Sequence, residues 1–407
     1  MINRKSALLF ATRTTGFQAR VWSAMAVLAL IVGPVTCVLQ GADTPNLSTD
    51  PLRMALPPTL VAAAGIETNV YFDNVVLCLN PANYAFDVVC SKGSQQAERW
   101  TWTPTEADVG DVPFELLVRD DSNRIISRGR MVVKVVAATQ AADRDLSLLL
   151  IGDSLTHASV YSQRLLDLSK QSGKGTITLV GSHRPNASSD LNRHEGYGGW
   201  TALRFATHYN DMARQGDYAQ RGSPFLYKQP DNTVKLDFQR YCQDVNDGNF
   251  PDAVTIFLGP NDIFPLTDDT ISAGIDTMLK HYDQLIEMVR TTSPSTRIGV
   301  MLPVPSAASQ DAFGSNYGTG QTRWQYKRNQ HALLQAMLKR YQDRQSEQIY
   351  VIGTHMNLDT VHNYPTASVA PNAQSDQTII RQNNGVHPSS AGYRQIGDTV
   401  YGWLISP

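Results

Sequence analysis

The chain has 407 residues, 42% hydrophobic and 18% charged, with a formal net charge of −2, which is enough material to bury a sizeable core. With 35 Lys and Arg against 37 Asp and Glu and no long basic run, it carries no broad electrostatic footprint for nucleic acid. Small or neutral partners fit this balance better.

Arg4, Lys5, Arg13 and Arg20 precede an apolar stretch from Val21 to Leu39, followed by Gln-Gly-Ala-Asp. That layout is a secretory signal peptide over residues 1–42, with cleavage expected after Ala42. The stretch is long for a signal core and Pro34 interrupts it, so an uncleaved membrane anchor is the second reading. A lipid anchor on Cys37 fits less well, because Thr36 stands where a small residue is wanted. Either way the protein is expected to be exported: periplasmic, extracellular or at the cell surface. No other membrane association is expected.

Beyond that segment lie Cys78, Cys90 and Cys242, an odd number that cannot all pair within one chain. Cys78 and Cys90 either bridge neighbouring strands in an oxidising compartment or serve as small buried hydrophobes, and the sequence leaves both open. No CxxC or HExxH occurs and the nine histidines lack ligand spacing, so neither metal nor cofactor is expected.

From residue 55 to 137 the chain runs in short β-type pieces rich in Val, Ile, Phe, Tyr and Trp: TNVYFDNVVLCL, YAFDVVC, RWTWTP, FELLVRD and RIISRGRMVVKVV. Turn formers such as NPAN, SKGS and DDSN separate them. This rhythm predicts a small antiparallel sandwich of immunoglobulin-like type. Trp100 and Trp102 share one strand face and are expected in its core. Residues 138–145, ATQAADRD, read as a linker.

From 146 to 407 apolar strands alternate with helical stretches. The strands are LSLLLIG, TITLVG, DAVTIFLG, TRIGVMLPV and QIYVIGT. In the first helix Tyr161, Leu165 and Leu168 fall at i, i+4 and i+7, one apolar face. Strands apolar throughout, separated by helices, predict a three-layer α/β/α domain around a parallel sheet, whose chemistry should gather at the strands' carboxyl ends. Ser154 follows the first strand, HEGYGGW the second, Gly259-Pro260-Asn261-Asp262 the third, and His387 lies after the fifth.

A serine hydroxyl needs a base within hydrogen-bond reach, and His387 is the candidate. A developing oxyanion needs N–H donors, which the Ser154 amide, a loop glycine and the Asn261 side chain can supply. No GxSxG elbow occurs, and Gly318-Thr319-Gly320 lacks the strand a dinucleotide fingerprint requires. Ser154 as a mere helix cap, Asp153 and Asp262 as turn formers, and His157 as an ordinary helix-start residue are the plainer readings of their stretches.

The four blocks GDSL (152–155), EGYGGW (195–200), GPND (259–262) and VHP (386–388), in that order, resemble those of the SGNH (GDSL) hydrolases. The resemblance covers the chain from Leu146 onward. It implies a flavodoxin-like hydrolase fold, Ser154 as nucleophile, His387 as base, and an oxyanion hole of Ser154, Gly199 and Asn261. One position departs: the family has an aspartate three residues before the histidine, and Asn384 stands there. An asparagine oxygen can accept a bond from imidazole but offers no charge to an imidazolium. Orientation of His387 by Asn384, by a backbone carbonyl, or by another acid such as Asp376 all stay open.

His194, Tyr197 and Trp200 in the glycine-rich loop suit stacking and bonding a sugar ring, or else pack against the sheet. Residues 216–249 read as an insertion bordering the cleft, which makes Phe225, Tyr227 and Phe238 candidate substrate contacts. The function expected is an exported serine esterase acting on carboxylic esters, O-acetyl groups on carbohydrate above all. The alternatives are a lipid ester or thioester hydrolase of the same family, or a non-catalytic carbohydrate-binding surface protein.

Overall fold

The computed structural model describes residues 52–140, 143–172, 176–185, 188–212 and 220–407. The proposed signal segment, 1–42, lies outside the described residues. Among those described, no helix is long and apolar enough to cross a membrane.

Seven strands precede residue 137: β1 (Thr59–Ala63), β2 (Thr68–Tyr71), β3 (Ala85–Val89), β4 (Ser94–Gln95), β5 (Arg99–Trp102), β6 (Gly110–Arg119) and β7 (Ile125–Val136). They form two sheets, ordered β1-β7-β6-β3 and β2-β5-β4. Leu60, Val70, Trp100, Trp102, Phe114, Leu116 and Val133 from both sheets share one apolar cluster, so the two tryptophans are interior. Cys78, Cys90 and Cys242 are free thiols.

Two details differ from the sequence reading. β1 pairs with β7 in parallel, with Ala63 opposite Val136, because both strands end on the same surface: these two residues join the cluster that contains Trp403 and Leu404. The stretch TNVYFDNVVLCL is not one strand. It breaks after Tyr71 into a short helix, α1 (Phe72–Val75), which turns Asp73 and Asn74 toward the rest of the chain.

The second part is built on a parallel sheet of β8 (Leu146–Gly152), β9 (Ile177–Val180), β10 (Glu195–Gly196), β13 (Ala253–Phe257), β14 (Arg297–Met301) and β15 (Ile349–Ile352), with two hairpin strands, β11 (Leu226–Lys228) and β12 (Val234–Leu236), before β13. The order is β10-β8-β13-β14-β15, and β9 also pairs with β8. β9 lies against Leu146–Leu149 and β10 against Ile151 and Gly152, so together they make one interrupted edge strand. The result is the 2-1-3-4-5 arrangement whose switch point falls between β8 and β13. A second hairpin, β16 (Thr366–Val369) with β17 (Ile379–Gln382), follows β15.

Helices cover both faces. α4 (Ala202–Thr207), α5 (Phe238–Val245), α7 (Ile271–Thr292) and α9 (Arg323–Tyr341) share one apolar cluster with Leu149, Ile151, Val254 and Ile256. α3 (Val160–Ser172) and α10 (Ser390–Ile405) share another with Leu148, Leu150 and Phe257. Alternate residues of a strand go to opposite layers, as the two-residue side-chain period requires. Three short helices, α2 (Ser154–His157), α6 (Pro260–Ile263) and α8 (Gln310–Tyr317), sit at strand ends or in the loops beyond them.

The β-rich and α/β parts belong to one compact unit, Thr49–Pro407. Asn74 Nδ2 donates to the carbonyls of His355 (2.9 Å) and Leu358 (2.8 Å), Asn69 Nδ2 donates to Asn357 Oδ1 at 2.9 Å, and the Tyr71 amide donates to the Met356 carbonyl at 3.0 Å. Asp73 pairs with Arg323 at 3.0 Å and with Lys327. Met356 itself is packed in the β-rich core. A buried carbonyl that loses its donor costs about 1–3 kcal/mol. Asn74→Ala is therefore expected to lower unfolding stability by about 2–4 kcal/mol while the transition stays single; an unchanged urea midpoint would show the seam to be unimportant.

Candidate active site

Ser154 is the first residue of α2, directly after β8. Asp153 caps that helix: its Oδ1 accepts the Leu155 N–H at 2.9 Å. The turn presses down onto the strands, for a Cβ on Gly196 would lie 2.6 Å from Thr156 Cβ and 2.8 Å from the His157 nitrogen. Glycine is required there by space.

His387 Nε2 lies 2.8 Å from Ser154 Oγ. Burial lowers the imidazole pKa below 6.5, which keeps the ring neutral at pH 7 and able to take a proton through Nε2. Asn384 acts on the backbone, not on the ring. Its Oδ1 accepts the amides of Val386 (3.2 Å) and His387 (2.9 Å), closing the turn that presents the histidine. Among the described residues Nδ1 of His387 has no hydrogen-bond partner. Asp376 is exposed near the tip of the β16–β17 hairpin and makes no bond to the ring. Of the three orienting groups considered, none contacts the imidazole.

The loop is also braced from outside. Asn316 Oδ1, on α8, accepts the Gly385 N–H at 2.9 Å, and the Ala307 N–H donates to the Gly385 carbonyl at 3.0 Å. Phe313, Tyr326 and Val386 form a small apolar cluster against which Phe264 and Tyr317 pack. Phe264 closes the helix that carries Asn261, and Tyr317 follows Asn316. Their rings meet edge-on at 4.7 Å, both half-buried. They form an aromatic wall joining the asparagine block to the histidine block.

Residues 197–200 form a four-residue turn, closed by the Trp200 amide to the Tyr197 carbonyl at 3.1 Å. Its third residue, Gly199, has φ +77, the left-handed position such a turn reserves for glycine. The exposed Gly199 amide and the Ser154 amide have no acceptor among the described residues. Asn261 Nδ2 lies between their neighbours, 3.3 Å from Asp153 Oδ2 and 3.1 Å from the Trp200 carbonyl. Asn261, whose two Nδ2 hydrogens are both taken in these bonds, thus links the turn of Ser154 to the turn of Gly199, whose unpaired amides suit an oxyanion. Asp262 Oδ1 accepts the Ala202 amide at 3.1 Å and ties this loop to β13's end. Burial pushes both Asp153 and Asp262 up to about 7, against the lowering by the backbone amides they accept.

The loop's large side chains are not at the surface. His194, Tyr197 and Trp200 are each 0% exposed, which corrects the expectation that they contact a sugar. His194 Nδ1 accepts the Gly196 amide at 3.0 Å, so the proton sits on Nε2, 2.9 Å from Ser159 Oγ; burial lowers this histidine to about 3. The Tyr197 and Trp200 rings pack against each other at a tilt, centroids 4.6 Å apart, inside the core. Phe225, Tyr227 and Phe238 are likewise buried in the main cluster, because β11, β12 and α5 fold their apolar sides onto α7 and the sheet.

Glu195, whose type and place in the same loop suit bonding a sugar hydroxyl, is also turned inward. Wholly buried, its Oε1 accepts from the Tyr241 hydroxyl and the Ser182 amide, both at 2.6 Å, and its Oε2 from the Ser182 hydroxyl at 3.1 Å and the Tyr197 hydroxyl. It fixes the base of the loop bearing Gly199. Tyr241 is 46 positions away, so no local pattern announces the pairing. Among the described residues no His, Cys, Asp and Glu group is arranged to hold a metal ion.

A serine and a histidine in contact at the switch point of a doubly wound sheet, beside amides without acceptors, are the arrangement that serine-dependent hydrolysis requires. Residues 150–395 match the GDSL-like lipase/acylhydrolase family. The match covers more than half of the chain, which belongs to that family. Similar solved structures include a family 3 carbohydrate esterase of Clostridium thermocellum (18% identity, 63% of this chain and 94% of that one, TM-score 0.36). Another is a family 3 carbohydrate esterase from Talaromyces cellulolyticus (18%, 64% and 96%, TM-score 0.34). A third is a carbohydrate acetylesterase family member from Sinorhizobium meliloti (16%, 64% and 99%, TM-score 0.35). No match is found among curated proteins.

Two outcomes check this geometry. Because the neutral imidazole is the active form and burial depresses its pKa, kcat/KM should rise with pH and level off with a midpoint below 6.5; a midpoint above 7, the mark of a carboxylate-paired histidine, would contradict it. Asn384→Asp keeps the acceptor oxygen and should retain activity, whereas Asn384→Ala, which leaves two amides without it, should lose about tenfold in kcat.

Proposed function

We propose that the chain is an exported serine esterase that removes acetyl groups from carbohydrate. Ser154 Oγ attacks the ester carbonyl carbon while its proton passes to His387 Nε2. The amides of Ser154 and Gly199 and the Asn261 side chain receive the oxyanion. Collapse breaks the bond to the sugar oxygen, which takes the proton from His387. Water, deprotonated in turn by His387, then attacks the acetyl-enzyme and frees acetate and Ser154. The observation that carries this reading is the 2.8 Å contact between the serine and histidine beside amides left without acceptors.

The acetyl-sugar assignment rests on the surroundings. The half-buried rings of Phe264 and Tyr317, packed against Val386 and at the end of the helix that carries Asn261, are assigned the role the sequence reading gave to Tyr197 and Trp200, since flat rings suit the C–H face of a sugar. Export rests on residues 1–42, and the seven N-terminal strands are taken as an immunoglobulin-like sandwich.

A fluorophosphonate probe should label the wild type and not Ser154→Ala, whose acetate release should fall at least about a thousandfold. Asn261→Ala should cost about 10²–10³ in kcat with KM little changed. Well-folded wild type that takes no label would instead favour a carbohydrate-binding protein without chemistry. Release of fatty acid or of free CoA, with no acetate released from sugars, would point to lipid or thioester hydrolysis.

A further inference from the structure

Asn384 and Gly385, in the turn that presents His387, form the only Asn-Gly pair of the 407-residue sequence. In such a pair the backbone nitrogen that follows the asparagine can reach and attack the side-chain amide carbon, because glycine puts no Cβ in the way. The glycine here is itself demanded by packing. A Cβ on Gly385 would lie 3.1 Å from a ring carbon of Phe313, inside the separation at which carbon atoms rest. The susceptible sequence is therefore built into the turn.

The turn also prepares the Asn384 side chain for that attack. Its Oδ1 accepts the amides of Val386 (3.2 Å) and His387 (2.9 Å), which folds the side chain forward over the Gly385 peptide. Two N–H donors on one carbonyl oxygen polarise its carbon and receive the charge that builds on the oxygen when a nucleophile adds. The Gly385 N–H donates to Asn316 Oδ1 at 2.9 Å, which draws electron density onto the attacking nitrogen. Asn384 Nδ2, the group that must leave, makes no hydrogen bond among the described residues. The residue is half-buried, so water reaches it.

We propose that Asn384 is a spontaneous deamidation site, at which the folded chain converts this asparagine to aspartate and supplies the carboxylate that His387 lacks. The Gly385 nitrogen bonds to Asn384 Cγ, its proton passes to Nδ2, and the Cγ–Nδ2 bond breaks to release ammonia and leave a cyclic succinimide. Water then adds to an imide carbonyl. Addition at Cγ breaks the bond to the Gly385 nitrogen, returns a proton to it and yields aspartate in an unaltered backbone. Addition at the main-chain carbonyl yields isoaspartate instead. The two amides polarise Cγ, whereas the Asn384 main-chain carbonyl accepts no hydrogen bond among the described residues, so the aspartate branch is the faster. The balance is amide plus water to carboxylate plus ammonium. The new carboxylate keeps both backbone bonds, and because one of them is to the His387 amide, its charge stands beside the imidazole and stabilises the protonated ring.

The test ages the full chain in mildly alkaline buffer, digests it, and reads the fragment containing residue 384 by mass spectrometry against aspartate and isoaspartate standards. Residue 384 should convert ahead of every other asparagine and give more aspartate than isoaspartate, whereas the same fragment excised before ageing should give isoaspartate in excess. An amide intact at 384 while other asparagines convert overturns the proposal. Isoaspartate as the main product of the folded chain overturns it too. Asn384→Gln, whose longer side chain closes no five-membered ring, should keep its amide; if it folds poorly, the excised fragment remains the control.

The effect on the base is read from the pH profile of 4-nitrophenyl acetate hydrolysis. Ageing should move the midpoint of wild type up by about one unit or more, toward that of Asn384→Asp, and leave that of Asn384→Gln in place. A midpoint unmoved in fully converted chain overturns the carboxylate's part. The mass readings need no turnover, so a chain that converts but hydrolyses no ester defeats the esterase reading alone, and the same midpoint is then taken from the His387 imidazole by NMR.

Discussion

A single hydrogen bond, 2.8 Å from Ser154 Oγ to His387 Nε2, joins residues 233 positions apart, and the α/β architecture holds its two ends. The serine end is set by the exit from β8, the Asp153 cap and the close approach of α2 to Gly196. The histidine end is set by a turn closed on Asn384 Oδ1, by Asn316 on the Gly385 amide, and by the start of α10. In most serine–histidine sites a carboxylate also fixes the ring and steadies the imidazolium. Here a backbone turn presents the residue, and the ring itself is bonded only to Ser154, Nδ1 lacking an acceptor among the described residues. Reactivity therefore leans on burial, which favours the neutral base but does nothing to stabilise its protonated form.

The oxyanion side follows a different economy. Ser154 and Gly199 leave their amides unused, one of them in a loop that must still be held in place. Glu195 makes this feasible: four donors converge on one buried carboxylate, so the loop is rigid below while the Gly199 turn is bare above. Burial raises the pKa of Glu195, and the hydroxyls of Tyr197 and Tyr241 work against that rise. Such a network specifies one loop conformation because every member needs every other.

The sheet was legible because its signals are local. Each apolar run became a strand, and Tyr161, Leu165 and Leu168 all fell on the buried side of α3. The blocks GDSL, GPND and VHP could be ordered along strand ends by the general rule for parallel sheets. What the sequence hid is non-local. HEGYGGW reads as a recognition loop because its residue types suit sugars, yet its aromatics are consumed by packing on Phe205 and the core. The aromatic wall of Phe264 and Tyr317 comes from the ends of two helices 53 positions apart in sequence, and neither signals the other. Asn384 shows the same limit: spacing identifies the position, but only geometry reveals that its oxygen serves the backbone.

The seam between the two parts of the chain bears on how this enzyme can be reshaped. Cutting at residue 146, where the pattern of strands changes, would leave the His355 and Leu358 carbonyls without their Asn74 donor, strip Lys327 and Arg323 of Asp73, and expose Met356, 0% accessible in the intact chain. The hydrolase portion has in effect delegated part of its own surface to the strands before it. Swapping those strands for another module would therefore demand a redesign of the Gly353–Asp359 loop and of one face of α9, so the catalytic portion is not a cassette.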